Sequence, residues 1–159
     1  MAWSRKVGGY KKMKTAIERL AAAIGYPERV PADATSFTFR VDGAEICAEE
    51  SDGRVALACV LSDDESVLPA LAQYAAGRML REDATLSFGQ PGLSAPGSRS
   101  ASPQPSAFLW QDATADADAS ALHRLFETFA NSCDWWRARL EPQSGDDGPS
   151  PFPEVMIRP

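Results

Sequence analysis

Residues 37–61 read FTFRVDGAEICAEESDGRVALACVL, and this stretch decides the fold. Two Asp-Gly pairs, Asp42-Gly43 and Asp52-Gly53, separate runs of alternating apolar and polar residues. Such pairs are typical of the two central residues of a tight β-hairpin. The predicted register pairs Val41 with Ala44, Phe39 with Ile46 and Phe37 with Ala48, then Ala48 with Leu57, Ile46 with Cys59 and Ala44 with Leu61.

The two predicted turns agree on one buried face. Side chains alternate between the faces of a strand, and a one-residue slip would move every apolar residue to the wrong face. The agreement therefore predicts a three-stranded antiparallel meander. Arg40 then lies opposite Glu45, and Cys47 and Cys59 lie on opposite faces, which argues against a disulfide between them. The apolar face consists of Phe37, Phe39, Val41, Ala44, Ile46, Ala48, Leu57, Cys59 and Leu61.

A helix is predicted before the meander. It begins near Gly9 or Tyr10 and ends at Gly25, because apolar residues recur there in steps of three and four. Residues 1–9 are predicted to be a flexible basic N-terminus, a solvated end rather than a recruitment arm. The helical pattern starts only near Met13, so the biological start at Met1 or at Met13 stays open. Its apolar residues are Met13, Ile17, Leu20, Ala21 and Ile24.

A second helix is predicted over residues 65–81, after a cap at Ser62 or Asp63. Pro69 falls early in it, where a missing N–H costs least. The apolar residues cover more than one helix face, which predicts burial on two sides, by the chain's own core and by a second subunit. These residues are Val67, Leu68, Leu71, Ala72, Tyr74, Ala75, Met79 and Leu80.

Two strands and a final helix complete the pattern. The strands are predicted at 84–88 and 107–111, and the helix at 117–140. Between the strands, 13 of the 17 residues in 90–106 are Gly, Pro, Ser or Ala, which predicts a flexible loop. Residues 141–159 contain five prolines and two glycines and are predicted to be a loose tail. The predicted faces are Ala84, Leu86 and Phe88, then Phe108 and Trp110, then Leu122, Leu125, Phe126, Phe129, Cys133, Trp136 and Leu140.

Length and charge narrow the class of protein. The chain has 159 residues, 44% of them hydrophobic, which predicts one α+β domain over residues 10–140. Its 22 acidic and 16 basic residues leave a net charge of −6, which disfavours nucleic acid as a partner. No apolar run approaches the roughly 20 residues of a membrane helix, so no membrane insertion is predicted. Three cysteines, an odd number, favour a reducing compartment such as the cytoplasm.

The sequence carries no motif of a reaction centre. It has no phosphate-binding loop, dinucleotide fingerprint, nucleophile elbow or zinc-protease motif, so neither a cofactor nor a metal is predicted. The single histidine, His123, lies next to the apolar stripe of the last helix and is interpreted as a partly buried helix histidine. Asp112, Asp116 and Asp118 lack the glycine and glutamate of a calcium loop and are interpreted as turn and capping residues. We therefore predict a binding protein and not an enzyme.

The order of elements is helix, three-strand meander, helix, two strands and helix. Together with size and acidity, this order resembles the CesT/SycE-like (class I) family of type III secretion chaperones. The resemblance spans roughly residues 10–140. It is carried by the opening helix with Ile17, Leu20 and Ile24, then FTFRVDGAEICAEESDGRVALACVL, then VLPALAQYAAGRML, and then LHRLFETFANSCDWWRARL.

The resemblance implies a non-catalytic homodimer in the bacterial cytoplasm. Such chaperones bind the N-terminal segment of effector proteins, keep it extended and competent for secretion, and bring it to the secretion ATPase. The alternative is a dimeric adaptor or regulatory protein-binding module unrelated to secretion, and an enzyme or small-ligand carrier is a third. The implied dimer interface is Leu68, Leu71, Ala72, Tyr74, Ala75 and Met79.

The proposed binding mode is strand addition. The first strand, at 35–41, has one predicted neighbour, so its free edge offers unpaired N–H and C=O groups to an extended peptide. Thr38 and Arg40 would flank the added strand, while the helix residues would line a groove or be wholly buried core. Trp135 is either a partner anchor or an intramolecular packing residue. The predicted effector-binding residues are Ile17, Leu20, Ile24, Phe37, Thr38, Phe39, Arg40 and Trp135.

Overall fold

Two tight hairpins build the first three strands. A computed structural model describes residues 14–78, 83–89 and 106–140. In both turns the aspartate and the glycine have positive φ, at 48° and 80° for Asp42 and Gly43 and at 51° and 73° for Asp52 and Gly53. Turns of this kind match the right-handed twist of the strands, which is why Asp-Gly selects them.

The predicted α+β fold is confirmed. A 3₁₀ turn at Glu65–Val67 precedes the second helix. The elements are α1 (Ala16–Ala23), β1 (Ser36–Val41), β2 (Ala44–Ser51), β3 (Arg54–Ser62), α2 (Leu68–Arg78), β4 (Thr85–Gly89), β5 (Ser106–Thr114) and α3 (Ala119–Leu140).

The five strands form one antiparallel sheet in the order β1-β2-β3-β5-β4. Val41 pairs with Ala44, Phe37 with Ala48, and Ala48 with Leu57, which confirms the predicted register at these positions. The β2–β3 pairing ends at Cys47 and Ala58, so the predicted pairs Ile46–Cys59 and Ala44–Leu61 lie beyond it. The prediction that the first strand is a sheet edge is also confirmed. β5 inserts between β3 and β4, which leaves β4 as the second edge.

Helices α1 and α3 pack on the predicted apolar face. The ring of Phe39 contacts the ring of Phe126 from α3 edge-on at 5.2 Å, and contacts the ring of Phe37 at 4.9 Å. Phe37 and Val41 are half-buried because they lie on the edge strand. The largest fully buried side chains are Trp136, Phe129, Ile17, Leu20, Ile46, Leu57, Leu71, Leu109, Leu122 and Val55.

Phe108 and Trp110 share a face, as predicted, and that face points away from the helices. They pair with Val60 and Ala58 on the outer side of the sheet, while Leu109 enters the core. Phe88 differs from its predicted companions. Ala84 and Leu86 are buried, whereas Phe88 lies near the end of an edge strand and stays 51% exposed.

Helix α1 begins later than the sequence predicts. Residues 1–13, including Met13 and the predicted start near Gly9 or Tyr10, lie outside the described residues. Lys14 and Thr15 are not helical, and Thr15 forms a capping box with Glu18. The Ala16 N–H donates to the Glu50 carboxylate at 2.6 Å, so a distant strand completes the cap.

The other helix caps also differ in detail from prediction. The Ser66 N–H donates to the Asp64 carboxylate, so Asp64 caps the turn before α2 in place of the predicted Ser62 or Asp63. The Ala121 N–H donates to Asp118, which confirms a capping role for this aspartate. The predicted end of the second helix, residues 90–105 of the predicted loop 90–106, and the tail at 141–159 lie outside the described residues. Ser106, the last residue of the predicted loop, instead begins β5. Among the helices described, none is long and apolar enough to cross a membrane.

Candidate peptide-binding groove

At the free edge of β1, the backbone N–H and C=O groups of every second residue point away from the sheet. The Glu50 N–H donates to the Thr35 carbonyl at 2.7 Å, so Thr35 is hydrogen-bonded to the neighbouring strand. In an antiparallel pair this orientation alternates along the chain. The backbone groups of Ser36, Thr38 and Arg40 therefore point away from β2 to the edge, where no described strand pairs with them.

A groove of about 140 Å³ runs beside this edge on the helix side of the sheet. We call it the edge groove. Its floor is apolar and its rim carries two arginines and a tyrosine. The lining residues are Ile24, Tyr26, Arg29, Phe37, Thr38, Phe39, Arg40 and Val41. Five predicted binding residues, Ile24, Phe37, Thr38, Phe39 and Arg40, are thus brought together.

The end of α1 positions the far wall of the edge groove. Ile24 is the C-cap, and Gly25 follows it with φ 84°, the left-handed conformation that glycine adopts without strain. The Tyr26 N–H then donates to the Ala21 carbonyl at 2.8 Å, which folds the chain back toward β1. The Arg29 guanidinium lies 5.7 Å from the centre of the Tyr26 ring. This return places an exposed aromatic ring on the rim.

Ile17 and Leu20 do not line the groove. Both side chains have no exposed surface and belong to the core beneath it. The helical spacing that placed them with Ile24 is the spacing of a core-facing stripe, and only the last turn of α1 reaches the surface. A peptide in this conformation can therefore contact Ile24 but neither of the other two.

A second, larger cavity of about 290 Å³ adjoins the first and shares Ile24 and Val41 with it. We call it the turn cavity, because the β1–β2 turn forms one wall and α3 the other. The Arg137 guanidinium donates to the Asp42 carbonyl at 3.2 Å and links the two walls. The remaining lining is Ala44, Ile46, His123, Phe126, Glu127, Ala130, Asn131 and Asp134.

Trp135 packs within the chain, far from the edge groove lining. Its ring lies between two guanidinium groups, that of Arg78 at 3.6 Å and that of Arg139 at 3.4 Å from the ring centre. The Trp136 ring meets it edge-on at 5.1 Å. Of the two interpretations of Trp135, the structure supports intramolecular packing between α2 and α3.

The predicted dimer residues divide into two groups. Leu71 and Ala75 are buried in the chain's own core, which accounts for one of the two apolar sides of α2. Ala72 is exposed and Tyr74 is 47% exposed, while Leu68 is half-buried. Met79 lies outside the described residues.

The outer face of β1 and β2 is polar, as predicted. Arg40 and Glu45 form an ion pair of 2.8 Å with both side chains exposed. The Thr38 hydroxyl and the Cys47 sulfur are 3.5 Å apart, and burial raises the pKa of the Cys47 thiol. Within the described residues, no group of three or more His, Cys, Asp or Glu side chains is arranged to hold a metal ion.

Sequence reasoning missed Tyr26, Arg29, Asp134 and Arg137. The first two follow the helix-ending glycine, where neither helical nor strand periodicity marks a residue. The other two lie on α3 and meet the β1–β2 turn from a distance of about ninety residues along the chain, as the Arg137 hydrogen bond to Asp42 shows. Helical spacing indicates which way a side chain points, but not which distant element it meets.

The class defined by these observations is that of an α+β protein with one antiparallel sheet and helices packed on it. Among solved structures, the E. coli protein YbjN, proposed to be a transcription regulator, superposes with a TM-score of 0.47 at 9% identity. The match covers 80% of this chain and 91% of that one. A superposition this loose carries no functional information. No family model and no curated protein sequence matches this chain.

Proposed function

We propose that this chain is a non-catalytic type III secretion chaperone that binds the N-terminal segment of effector proteins in the bacterial cytoplasm. The bound segment stays extended because it pairs along a strand, and it remains competent for secretion. The observation that carries the proposal is the free edge of β1 beside an apolar groove.

Strand addition suits cargo of varied sequence. The outward backbone groups of Ser36, Thr38 and Arg40 hydrogen-bond to main-chain groups that every peptide has. Selectivity then comes from alternate peptide side chains, which would rest against Ile24 and the partly exposed Phe37. A partner held this way does not need to fold, which is what a secretion substrate requires.

The homodimer belongs to the same proposal. Leu68 and Ala72, four residues apart, give α2 a partly exposed apolar side beyond the one that fills the core, and Tyr74 is exposed on another side of the helix. A second copy would cover this side and place two edge grooves in one particle. Delivery to the secretion ATPase follows from the same chaperone role.

The first test is capture of cargo from the native bacterium under secretion-inducing growth. The tagged chain should elute as a dimer by light scattering and carry secreted proteins bound through their N-terminal regions. A monomer, or a dimer that holds only folded cytosolic proteins, would reject the chaperone and favour the adaptor.

The second test removes one edge donor. Thr38→Pro deletes the outward N–H at an edge position where proline is tolerated. The captured N-terminal segment should then bind roughly 5- to 150-fold more weakly, because one peptide carbonyl loses its donor. Thr38→Ala is the matched control, since it removes the same side chain but keeps the N–H. Equal affinities of two folded variants would exclude strand addition at β1.

A further inference from the structure

The turn cavity lies where a strand paired with β1 would leave the edge. It begins at Val41 and Asp42, the last residue of β1 and the first of the turn, and it opens on the same side of the sheet as the edge groove. The two cavities share Ile24. A segment that runs along β1 therefore passes over the mouth of the turn cavity with its next side chain.

The interior of the turn cavity is apolar and its rim is charged. Ile46 is fully buried and Phe126 is 5% exposed, and both form the floor with Ala44. Asp42 and Asp134 are exposed at the rim. At about 290 Å³ the cavity lies below the usual range of about 300–1,000 Å³ for small-molecule sites, and so fits one long side chain better than a whole cofactor.

The charges of the rim select the head group of that side chain. Three carboxylates line the cavity, those of Asp42, Glu127 and Asp134, against one guanidinium, that of Arg137. Glu127 lies 3.9 Å from His123, and Arg137 is engaged with the Asp42 carbonyl. Among the described residues, no ion pair involves the carboxylate of Asp42 or of Asp134.

We propose that the turn cavity binds the lysine or arginine side chain of a peptide segment at the position that follows its pairing with β1. The methylene stem lies against the half-buried Ile24 and Ala130, and the cationic head pairs with Asp42 and Asp134 at the rim. This proposal rests on the proposed function, since it names the chemistry of the segment that the β1 edge holds. The recognised pattern is a stretch of alternating apolar residues with a basic residue next to it, at whichever end lies over the β1–β2 turn.

The test uses fluorescein-labelled synthetic peptides and the full chain. Each peptide has a core of alternating valine and threonine as long as the six residues of β1, with the same variable residue at both ends, so that one copy reaches the turn in either strand direction: arginine, lysine, alanine or glutamate. The arginine and lysine peptides should bind roughly two- to five-fold more tightly than the alanine peptide. The glutamate peptide should bind more weakly than the alanine peptide.

Two variants test whether the preference for basic peptides arises at the rim of the turn cavity. Asp134→Asn and Asp42→Asn keep the shape of the rim, and asparagine tolerates the left-handed conformation of residue 42. Each should reduce the preference for arginine over alanine while leaving the alanine peptide unaffected. Asp116→Asn is the matched control, because it removes one exposed carboxylate that does not line the cavity.

The outcomes separate the two proposals. Equal binding of all four peptides would overturn the cavity proposal and leave strand addition standing. Binding of none would overturn both. If Asp116→Asn lowers the preference for arginine as much as the two rim variants do, the preference comes from the net charge of the protein. That result would overturn the cavity proposal. If the rim variants change the oligomeric state of the protein and not its preference among peptides, the cavity belongs to a contact with a second copy. That result would also overturn the cavity proposal.

Discussion

Replacement of Thr15 by alanine tests where α1 begins, and the two possible starts predict opposite signs. The Thr15 hydroxyl accepts from the Glu18 N–H at 3.2 Å and donates to the Ala34 carbonyl at 2.7 Å. Loss of the cap costs about 1 kcal/mol. Loss of the second bond, which leaves a half-buried carbonyl unpaired, costs about another 1 kcal/mol. The free energy of unfolding should therefore fall by about 2 kcal/mol.

A helix that began near Gly9 or Tyr10 would place Thr15 in its interior. Alanine is the better helix former, so the same substitution would then raise the free energy of unfolding by about 0.5 kcal/mol. The sign of the change thus distinguishes a cap from an interior position.

The assay is urea denaturation, followed by circular dichroism and by tryptophan fluorescence, at a fixed pH and temperature. In a separate thermal melt, a loss of about 2 kcal/mol corresponds to a fall of roughly 4–8 °C in Tm for a domain of this size. Thr15→Ser is the control, since it retains the hydroxyl and should stay close to the parent. A Thr15→Ala variant as stable as the parent, or more stable, would refute the cap and the start of α1 at Ala16.

Two further predictions concern titratable groups. The Arg54 Nε–H donates to the Asp112 carboxylate at 2.6 Å, which lowers the pKa of Asp112. A lowered folded pKa stabilises the protein above the ordinary aspartate value of about 3.9, and the contribution is lost as the pH falls through the folded pKa. Asp112→Asn should therefore lower Tm at neutral pH, and this loss should disappear as the pH falls through the lowered pKa of Asp112, whereas an equal effect at every pH would contradict the ion pair. The three thiols should also react unequally with Ellman's reagent, because Cys59 and Cys133 are buried while Cys47 is half-buried. The Cys133 thiol donates to the Cys59 sulfur, which together with burial raises the pKa of Cys133, while the same hydrogen bond lowers the pKa of Cys59. Because burial shields both sulfurs from the reagent, only Cys47 should react before denaturation, and rapid reaction of all three would contradict the packing.

The hairpins were predictable because their determinants are local. An Asp-Gly pair at each turn selects a left-handed two-residue loop, and the apolar alternation on both sides then leaves one register with a uniform buried face. The structure confirms Val41 opposite Ala44 and Ala48 opposite Leu57. The free edge of β1 follows from the same reasoning, as does the position of Phe37, Thr38, Phe39 and Arg40 along it.

The start of α1 was not predictable from periodicity. The cap depends on Glu50, which lies on β2, and on the Ala34 carbonyl, and neither is near Thr15 in the sequence. The burial of Ile17 and Leu20 has a similar cause. An apolar stripe along a helix predicts that this side of the helix is covered, but it does not distinguish a buried core from a groove that a partner fills.

The sequence alone therefore determined the meander, the register that its turns set, the order of the helices and strands in the described residues, and an apolar strand at the edge. Tertiary structure decided that β5 lies between β3 and β4, that Trp135 packs between Arg78 and Arg139, and that α3 meets the β1–β2 turn through Arg137. The physical reason is the distance along the chain between the residues that determine each feature. Turn conformation and side-chain alternation are set by neighbouring residues, whereas a groove between elements exists only once distant segments have packed against one another.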